Sequence, residues 1–193
     1  MRIGIFGGTF DPIHEGHLAV ARAARDEFRL DNVLFIPAYI PPHKQSLDLT
    51  PSAYRYRMVE FAIRNEPAFE ISDVEISRPG VSYTVDTLRG LHRTFPADEF
   101  FWILGADTLK DILTWREPME VMKLTEFLVA PRKGFSAQTF SLPPACRAHW
   151  IRMREYPFSS SEIRSQIAER KPIGHLLPAG VEDYLRRMKL YGT

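Results

Sequence analysis

The sequence has few of the features that mark secreted, membrane-bound or nucleic-acid-binding proteins. Its single cysteine, Cys146, cannot form an internal disulfide, and a lone thiol without a Cys or His cluster makes no zinc site. No apolar run approaches the length that spans a membrane, and no basic segment followed by an apolar stretch suggests a leader. The formal net charge of +1 provides no broad field for a nucleic-acid polymer. We therefore expect a cytoplasmic protein whose anion sites are local.

Repeats, low-complexity segments and long Pro- or Gly-rich stretches are also missing. Of the 193 residues, 45% are hydrophobic and 25% are charged, as in ordinary globular proteins. A chain of this size buries roughly 70% of its unfolded surface on folding. The prediction is one domain over residues 1–193, with a helical C-terminal part at about 158–190.

The sequence does contain a regular alternation of apolar, strand-like segments and helical segments. Strands are predicted at residues 2–6, 33–37, 70–76, 100–104, 127–130 and 149–153. Helices are predicted after the first strand, at 52–65, near Ser82, from Thr108 and at 181–188. Buried strands joined by a helix favour parallel pairing. The predicted fold class is α/β, a Rossmann-like open parallel sheet with helices on both faces and ligands at the carboxyl ends of its strands.

The first strand leads directly into a turn that begins with Gly7 and Gly8. Glycine lets backbone N–H groups approach a ligand, and a following helix start adds unpaired N–H groups with partial positive charge. Asp11-Pro12 suits an N-cap followed by the first helical position, and a helix start nearer Gly16 fits the sequence equally well. The combination of strand, glycine turn and helix start predicts a phosphate cradle.

Two histidines, His14 and His17, follow this turn. A spacing of three places both on one side of a first helical turn. Imidazoles there bind phosphoryl oxygens and stabilise the charge that develops during phosphoryl transfer. The alternative is that one histidine caps the turn and the other is solvated.

Further polar segments are predicted at the same edge of the sheet. Lys44, presented by a stiff Pro41-Pro42 loop, is a point charge suited to phosphate or a solvated loop residue. Ser82 is a plausible N-cap of an ordinary helix. Asp107 either binds a ribose or adenine or caps the helix from Thr108.

The remaining candidates come from aromatic and basic residues and from a late serine cluster. Trp115 offers a flat surface for a pyridine ring or belongs to the core, as Trp102 is expected to do. Arg132 is a weaker phosphate candidate. In Ser159-Ser160-Ser161-Glu162-Ile163-Arg164, hydroxyls, N–H groups and a guanidinium converge on one anion, and a capping box is compatible with that. No chemistry is assigned to the loop at 135–147 or to three helix arginines expected to be solvated or paired, Arg55, Arg57 and Arg64.

The glycine turn carries a family resemblance. Gly7-Gly8-Thr9-Phe10-Asp11-Pro12-Ile13-His14-Glu15-Gly16-His17 resembles the signature of the H-x-G-H nucleotidyltransferases, specifically the bacterial nicotinate mononucleotide adenylyltransferases. The loop at 41–44, the segment Ser82-Tyr83-Thr84-Val85-Asp86-Thr87-Leu88 and the G-x-D at 105–107 are similar to further motifs of that family. The segment at 158–164 is similar to its I-S-S-T-x-I-R, with Phe158 in place of Ile and Ser161 in place of Thr. The resemblance extends from Ile3 to about Leu190.

The resemblance implies an activity, adenylyl transfer from ATP to nicotinate mononucleotide with release of pyrophosphate, in which Mg²⁺ is bound mainly through the ATP phosphates. It implies catalytic roles for His14, His17, Lys44 and Arg164. It implies ATP binding by these four residues and by Gly7, Gly8, Thr9, Phe10, Gly105, Asp107, Ser160 and Ser161. It implies nicotinate mononucleotide binding by Ser82, Tyr83, Thr84, Trp115 and Arg116.

Several alternatives stay open at this point. A related transferase acting on phosphopantetheine shares the first motif but has no use for Tyr83-Thr84 or Trp115. Activity on nicotinamide mononucleotide, a class I synthetase-like fragment and a non-catalytic nucleotide-binding module are further alternatives. The sequence leaves the oligomeric state open, including a homo-oligomer.

Overall fold

A parallel β-sheet runs through the described part of the chain. The computed structural model describes residues 1–42, 49–135 and 141–193, and Ala179 by its backbone alone. The strands are β1 (Arg2–Gly8), β2 (Asn32–Pro37), β3 (Phe69–Ile71), β4 (Glu99–Gly105), β5 (Glu126–Ala130) and β6 (Ala148–Trp150). Neighbouring strands pair in parallel in the order β3-β2-β1-β4-β5-β6. The predicted open parallel sheet is confirmed.

Helices cover both faces of this sheet. They are α1 (Glu15–Phe28), α2 (Ser52–Ile63), α3 (Thr84–Thr94), α4 (Ala106–Leu109), α5 (Pro118–Leu124), α6 (Ser160–Ala168) and α7 (Ala179–Arg187), with single 3₁₀ turns at Ile112–Thr114 and Leu190–Gly192. One core cluster joins α1, α2, α6 and α7 to the sheet, and the other joins α3, α4 and α5 to it. None of the helices within the described ranges is long and apolar enough to cross a membrane.

Alternating strand side chains divide between the two core clusters. Phe101 and Ile103 of β4 pack in the first cluster, whereas Phe100 and Trp102 pack in the second. This division follows from the two-residue period of a strand and explains why β4 is apolar on both faces. Trp102 is 5% exposed, which confirms its predicted place in the core.

Two boundaries predicted in the first half of the chain are wrong. Helix α1 begins at Glu15 with His14 as N-cap, so the start at Asp11-Pro12 is wrong and the start near Gly16 is right. The strand predicted at 70–76 ends at Ile71, where its pairing with β2 ends. The next residues form a turn, closed by the Ser77 N–H that donates to the Asp73 carbonyl at 2.7 Å.

The start of α3 also differs from the prediction. Its N-cap is Tyr83, and Ser82 lies outside the helix. The Ser82 hydroxyl accepts a hydrogen bond from the Tyr39 N–H at 2.9 Å, so its oxygen serves the loop after β2. The side chain of the N-cap residue, Tyr83, forms no cap hydrogen bond with the first N–H groups of α3.

Candidate active site

A cavity of about 650 Å³ opens at the carboxyl ends of β1 and β4. Strand order reverses between these two strands, and this is where open α/β sheets bind ligands. Most of the predicted site residues lie together on its wall: Gly7, Gly8, Thr9, Phe10, His14, His17, Ser82, Thr84, Gly105, Asp107, Trp115, Arg132, Ser160 and Ser161. Lys44 lies outside the described residues. Three further predicted site residues are described but do not line the cavity: Tyr83, Arg116 and Arg164.

The glycine turn is shaped by close packing beneath it. A Cβ added to Gly7 would lie 2.6 Å from Cζ2 of Trp102, so no other residue fits there without displacing the core. Phe10 has a φ of 50° and is only 2% exposed. Its ring packs edge-on against Phe6 and His17. Burial of the Phe10 side chain thus holds the left-handed turn that brings the backbone to the cavity.

The two histidines form a stacked pair, as their spacing predicts. Their ring centroids are 3.7 Å apart and the rings are inclined by 27°. The His14 N–H donates to Nδ1 of His17 at 3.2 Å, so the proton of a neutral His17 ring is on Nε2. Both rings line the cavity. The pair therefore presents two imidazoles to one ligand.

The environment of His14 favours the uncharged ring. The residue is 6% exposed, and its Nδ1 is buried without a well-directed hydrogen bond within the described residues. Burial, and next the positive charge of Arg132, lower the pKa of His14 from 6.5 to about 4. His14 is thus neutral near pH 7 and presents a hydrogen-bonding ring to the cavity.

Helix α6 delivers its serines to the cavity but directs its arginine elsewhere. Ser159 is the N-cap and accepts a hydrogen bond from the Glu162 N–H at 3.3 Å, as a capping box requires. The Ser160 hydroxyl donates to the Pro12 carbonyl at 2.9 Å. Arg164 donates to the Asp11 carbonyl at 2.7 Å. In the described structure Arg164 therefore supports the turn, and direct phosphate binding by it stays a prediction.

Arg55 contradicts the expectation that it is solvated or ion-paired. It is 0% exposed, and its guanidinium donates to the carbonyls of Thr50, Thr9, Ala38 and Tyr39 at 2.6–2.9 Å. These carbonyls belong to the glycine turn, the loop after β2 and the segment before α2. Five N–H donors in a planar fork suit this task, which an ammonium would not perform.

The other two helix arginines are at the surface, as expected. Arg57 pairs with Glu60 at 2.6 Å. Arg64 lies over the ring of Phe61, with its Cζ 4.9 Å from the ring centroid.

The end of the cavity near α3 combines a helix start with an aromatic ring. Thr84 is the first residue of α3 and lies on the wall. Half-buried Trp115 packs edge-on against Phe127, with the centroids 6.4 Å apart. The Arg116 guanidinium lies over the Tyr83 ring, 4.6 Å from its centroid. Arg116 and Tyr83 thus contact each other beside the cavity.

Several wall residues were not predicted from the sequence. Glu75, 4% exposed, follows β3, and Arg154 and Tyr156 follow β6. Arg154 and Tyr156 come after a predicted strand at the ligand edge, and that position was the available signal. Glu75 gave only a weak signal, a charge between Val74 and Ile76.

The positive charges of the described wall come from Arg132 and Arg154. The Nε of Arg132 lies 3.8 Å from an Asp107 carboxylate oxygen. The described residues contain no group of three or more His, Cys, Asp or Glu side chains able to hold a metal ion.

Comparison with known proteins gives one consistent result. The model of the "Cytidylyltransferase-like" family matches residues 5–166. A protein of Desulfitobacterium hafniense named "Probable nicotinate-nucleotide adenylyltransferase" is 44% identical over 200 residues, covering 98% of this chain and 95% of its own length. A protein of the same name from Thermus thermophilus is 41% identical over 191 residues, covering 99% of this chain and 100% of its own.

Solved structures agree on the fold. "Plasmodium falciparum nicotinic acid mononucleotide adenylyltransferase complexed with NaAD" superimposes with a TM-score of 0.83 at 23% identity, over 98% of this chain and 97% of that one. The same Plasmodium falciparum protein "complexed with APC" gives a TM-score of 0.80. Family model and full-length relatives together show that the chain belongs to the cytidylyltransferase-like family and, within it, to the nicotinate-nucleotide adenylyltransferases.

Proposed function

We propose that this protein transfers the adenylyl group of ATP to nicotinate mononucleotide, giving nicotinic acid adenine dinucleotide and pyrophosphate in NAD biosynthesis. The supporting observation is a single cavity that joins the His14–His17 stack and the glycine turn to Thr84 and Trp115. The first group suits a triphosphate and the second suits a pyridine ring with an acidic substituent. Both substrates thus find complementary chemistry on one wall.

The transfer is a direct in-line displacement. A phosphate oxygen of the mononucleotide attacks the α-phosphorus of ATP, the bond from that phosphorus to the bridging oxygen breaks, and pyrophosphate leaves with the electron pair. No covalent bond to the protein is formed. The protein accelerates this step by positioning and by stabilising charge on the phosphoryl oxygens.

The residues divide these tasks by position. The glycine turn and the start of α6 offer backbone N–H groups to the phosphates, and Ser160 and Ser161 line the cavity beside them. Nε2–H of His17 is the donor for developing charge. His14, neutral in the free protein, gains affinity for a proton when a polyanion arrives. Lys44 remains a proposed phosphate ligand.

We propose that Mg²⁺ would enter with ATP as part of the substrate, bound to the phosphate oxygens, which are the hard ligands it prefers. Bound there, it would neutralise charge on the triphosphate.

The pyridine carboxylate is proposed to bind N–H groups at the start of α3, with the ring on Trp115. An uncapped helix start at the wall supports this placement. We further propose that the protein works in the cytoplasm as a small-molecule enzyme with no nucleic-acid partner. The single cysteine and the net charge of +1 support that proposal.

The test is pyrophosphate release from ATP with a panel of acceptors. We expect the highest kcat/KM with nicotinate mononucleotide and less with nicotinamide mononucleotide. A preference for phosphopantetheine, or release that depends on an amino acid, would contradict the proposal. Tight ATP binding without turnover would also contradict the proposal and would indicate a non-catalytic nucleotide-binding module.

A further inference from the structure

The Glu75 carboxyl is the most deeply buried acidic group among the described residues of the cavity wall, and the reaction proposed above gives it no task. It is 4% exposed and lies in the turn between β3 and α3. Burial raises the pKa of this carboxyl, since a charge is poorly solvated there. A buried carboxyl is retained only where hydrogen bonds compensate for its desolvation.

A hydroxyl group in the first turn of α3 supplies such a hydrogen bond. Oγ1 of Thr87, which is 0% exposed, donates to Oε1 of Glu75 at 2.6 Å. The Ser82 hydroxyl, which precedes the helix start, also lowers the pKa of this carboxyl and so favours its charged form. Ser82 and Thr87 lie on either side of Tyr83 and Thr84. The Glu75 carboxyl is therefore tied directly to the first turn of α3 through Thr87.

The same network reaches two neighbouring segments. The Ser82 oxygen accepts from the Tyr39 N–H at 2.9 Å, which connects it to the loop after β2. Thr87 Oγ1 also accepts from Arg78 at 3.3 Å. The positive charge of Arg78 partly offsets the effect of burial on Glu75. The turn and the helix thus meet at the pair formed by Glu75 and Thr87, and the loop after β2 is joined to the start of α3 through Ser82.

We propose that Glu75 is a positioning residue for the pyridine nucleotide, which holds the first turn of α3 at the angle at which its N–H groups meet the substrate carboxylate. The proposal rests on the proposed function for the identity of that substrate. It concerns the pyridine end of the cavity only, so the ATP end serves as an internal reference. A glutamate suits the role because its carboxylate oxygens are hydrogen-bond acceptors, and Oε1 accepts from Thr87.

The experiment compares Glu75→Ala, Glu75→Gln and Thr87→Val with the wild type. We expect Glu75→Ala and Thr87→Val to raise the KM for nicotinate mononucleotide about tenfold, the effect of one lost hydrogen bond of ordinary net strength, and to leave the KM for ATP within about twofold. Glu75→Gln should recover most of the loss, because its amide oxygen still accepts from Thr87. The Ala and Val changes combined should be no worse than either alone.

Thr125→Val is the matched control. Thr125 is 2% exposed and its hydroxyl donates to the Phe100 carbonyl at 2.8 Å, away from the cavity wall. It should lower Tm and leave both KM values unchanged. If Glu75→Ala behaves like this control, Glu75 is structural and the proposal is overturned. Equal increases in both KM values would overturn it as well.

Amide hydrogen exchange of the ligand-free protein separates this proposal from the proposed function. We expect faster exchange in the first turn of α3 in Glu75→Ala and unchanged exchange there in Thr125→Val. If the wild type forms no dinucleotide, the proposed function fails, while the exchange data still report on Glu75. An active wild type with unchanged α3 exchange in Glu75→Ala would refute the positioning role alone.

Discussion

The two stacked histidines of the cavity differ in the hydrogen bonds that each ring can form. Nδ1 of His17 accepts from the backbone, which places the ring proton on Nε2 and fixes the orientation of the ring. His14 is almost wholly buried, and burial with Arg132 keeps it neutral. His17 is therefore the better candidate for stabilising developing charge, and His14 for supporting it.

Replacement of His17 by alanine tests its role as the donor for developing charge. Loss of a preorganised donor should lower kcat by about 10²–10³ while the fold is kept, which steady-state kinetics and circular dichroism measure together. The matched control is His149→Ala, because His149 pairs with Glu126 at the surface. A His17→Ala protein that unfolds, or one that turns over normally, would contradict the catalytic role.

The second residue prediction follows from the pKa of His14. The folded state holds this ring neutral down to about pH 4, whereas the unfolded chain protonates it near 6.5. The unfolded state thus binds more protons between these values, so stability falls as the pH falls from 6.5 to 4, by roughly 3 kcal/mol for this group.

Denaturant unfolding of the wild type and of His14→Gln between pH 4 and 7 measures this contribution. The variant should lose less stability than the wild type across that window, since Gln does not titrate. Parallel curves would show that burial of His14 contributes nothing to acid sensitivity.

At the scale of elements, the strands and helices were predictable because apolar periodicity reports burial, and the apolar run of β4 is buried on both faces. The polar groups enclosed in the fold could not be predicted in this way. Arg55 is bound by carbonyls of three segments that meet only in the folded chain, so no local pattern marks it. The strand predicted at 70–76 includes Glu75, because no local pattern indicates the hydrogen bond that its side chain accepts from Thr87 of α3.

The start of α3 and the loop that packs beside it are predicted to recognise the pyridine ring. Arg116 contacts the Tyr83 ring and Glu117, and it does not line the described cavity. Arg116→Ala should therefore keep the preference for nicotinate over nicotinamide mononucleotide. Trp115→Ala should weaken binding of both by about 1–3 kcal/mol, the range for stacking on an aromatic ring.

The measurement is kcat/KM for the acid and amide mononucleotides in each variant. Arg57→Ala is a suitable control, because Arg57 is a surface arginine paired with Glu60. Loss of the acid preference in Arg116→Ala alone would mean that a side-chain charge recognises the carboxylate, and backbone recognition by α3 would be wrong.

At the scale of the whole molecule, residues of the C-terminal third hold the turn at Asp11-Pro12, in the loop after β1. Arg164 donates to the Asp11 carbonyl, and Ser160 donates to the Pro12 carbonyl. The Tyr191 hydroxyl donates to the Asp11 carboxylate, which is itself 4% exposed. Contacts across about 150 to 180 residues of sequence thus shape the turn between the glycines and the histidines.

This arrangement predicts that Tyr191 affects the cavity from a distance. Burial and the Asp11 carboxylate raise the pKa of Tyr191, so its hydroxyl stays protonated and a donor near pH 7. Tyr191→Phe removes that donor and leaves a buried carboxylate with fewer partners, which costs about 1–3 kcal/mol. The free energy of unfolding should fall by that amount, and kcat should fall with it because the turn carrying His14 is less firmly held.

Tyr184→Phe is the control, since Tyr184 packs against Phe61 in the core between α2 and α7. Equal stability and equal kcat in the two variants would show that the C-terminal segment does not hold the turn.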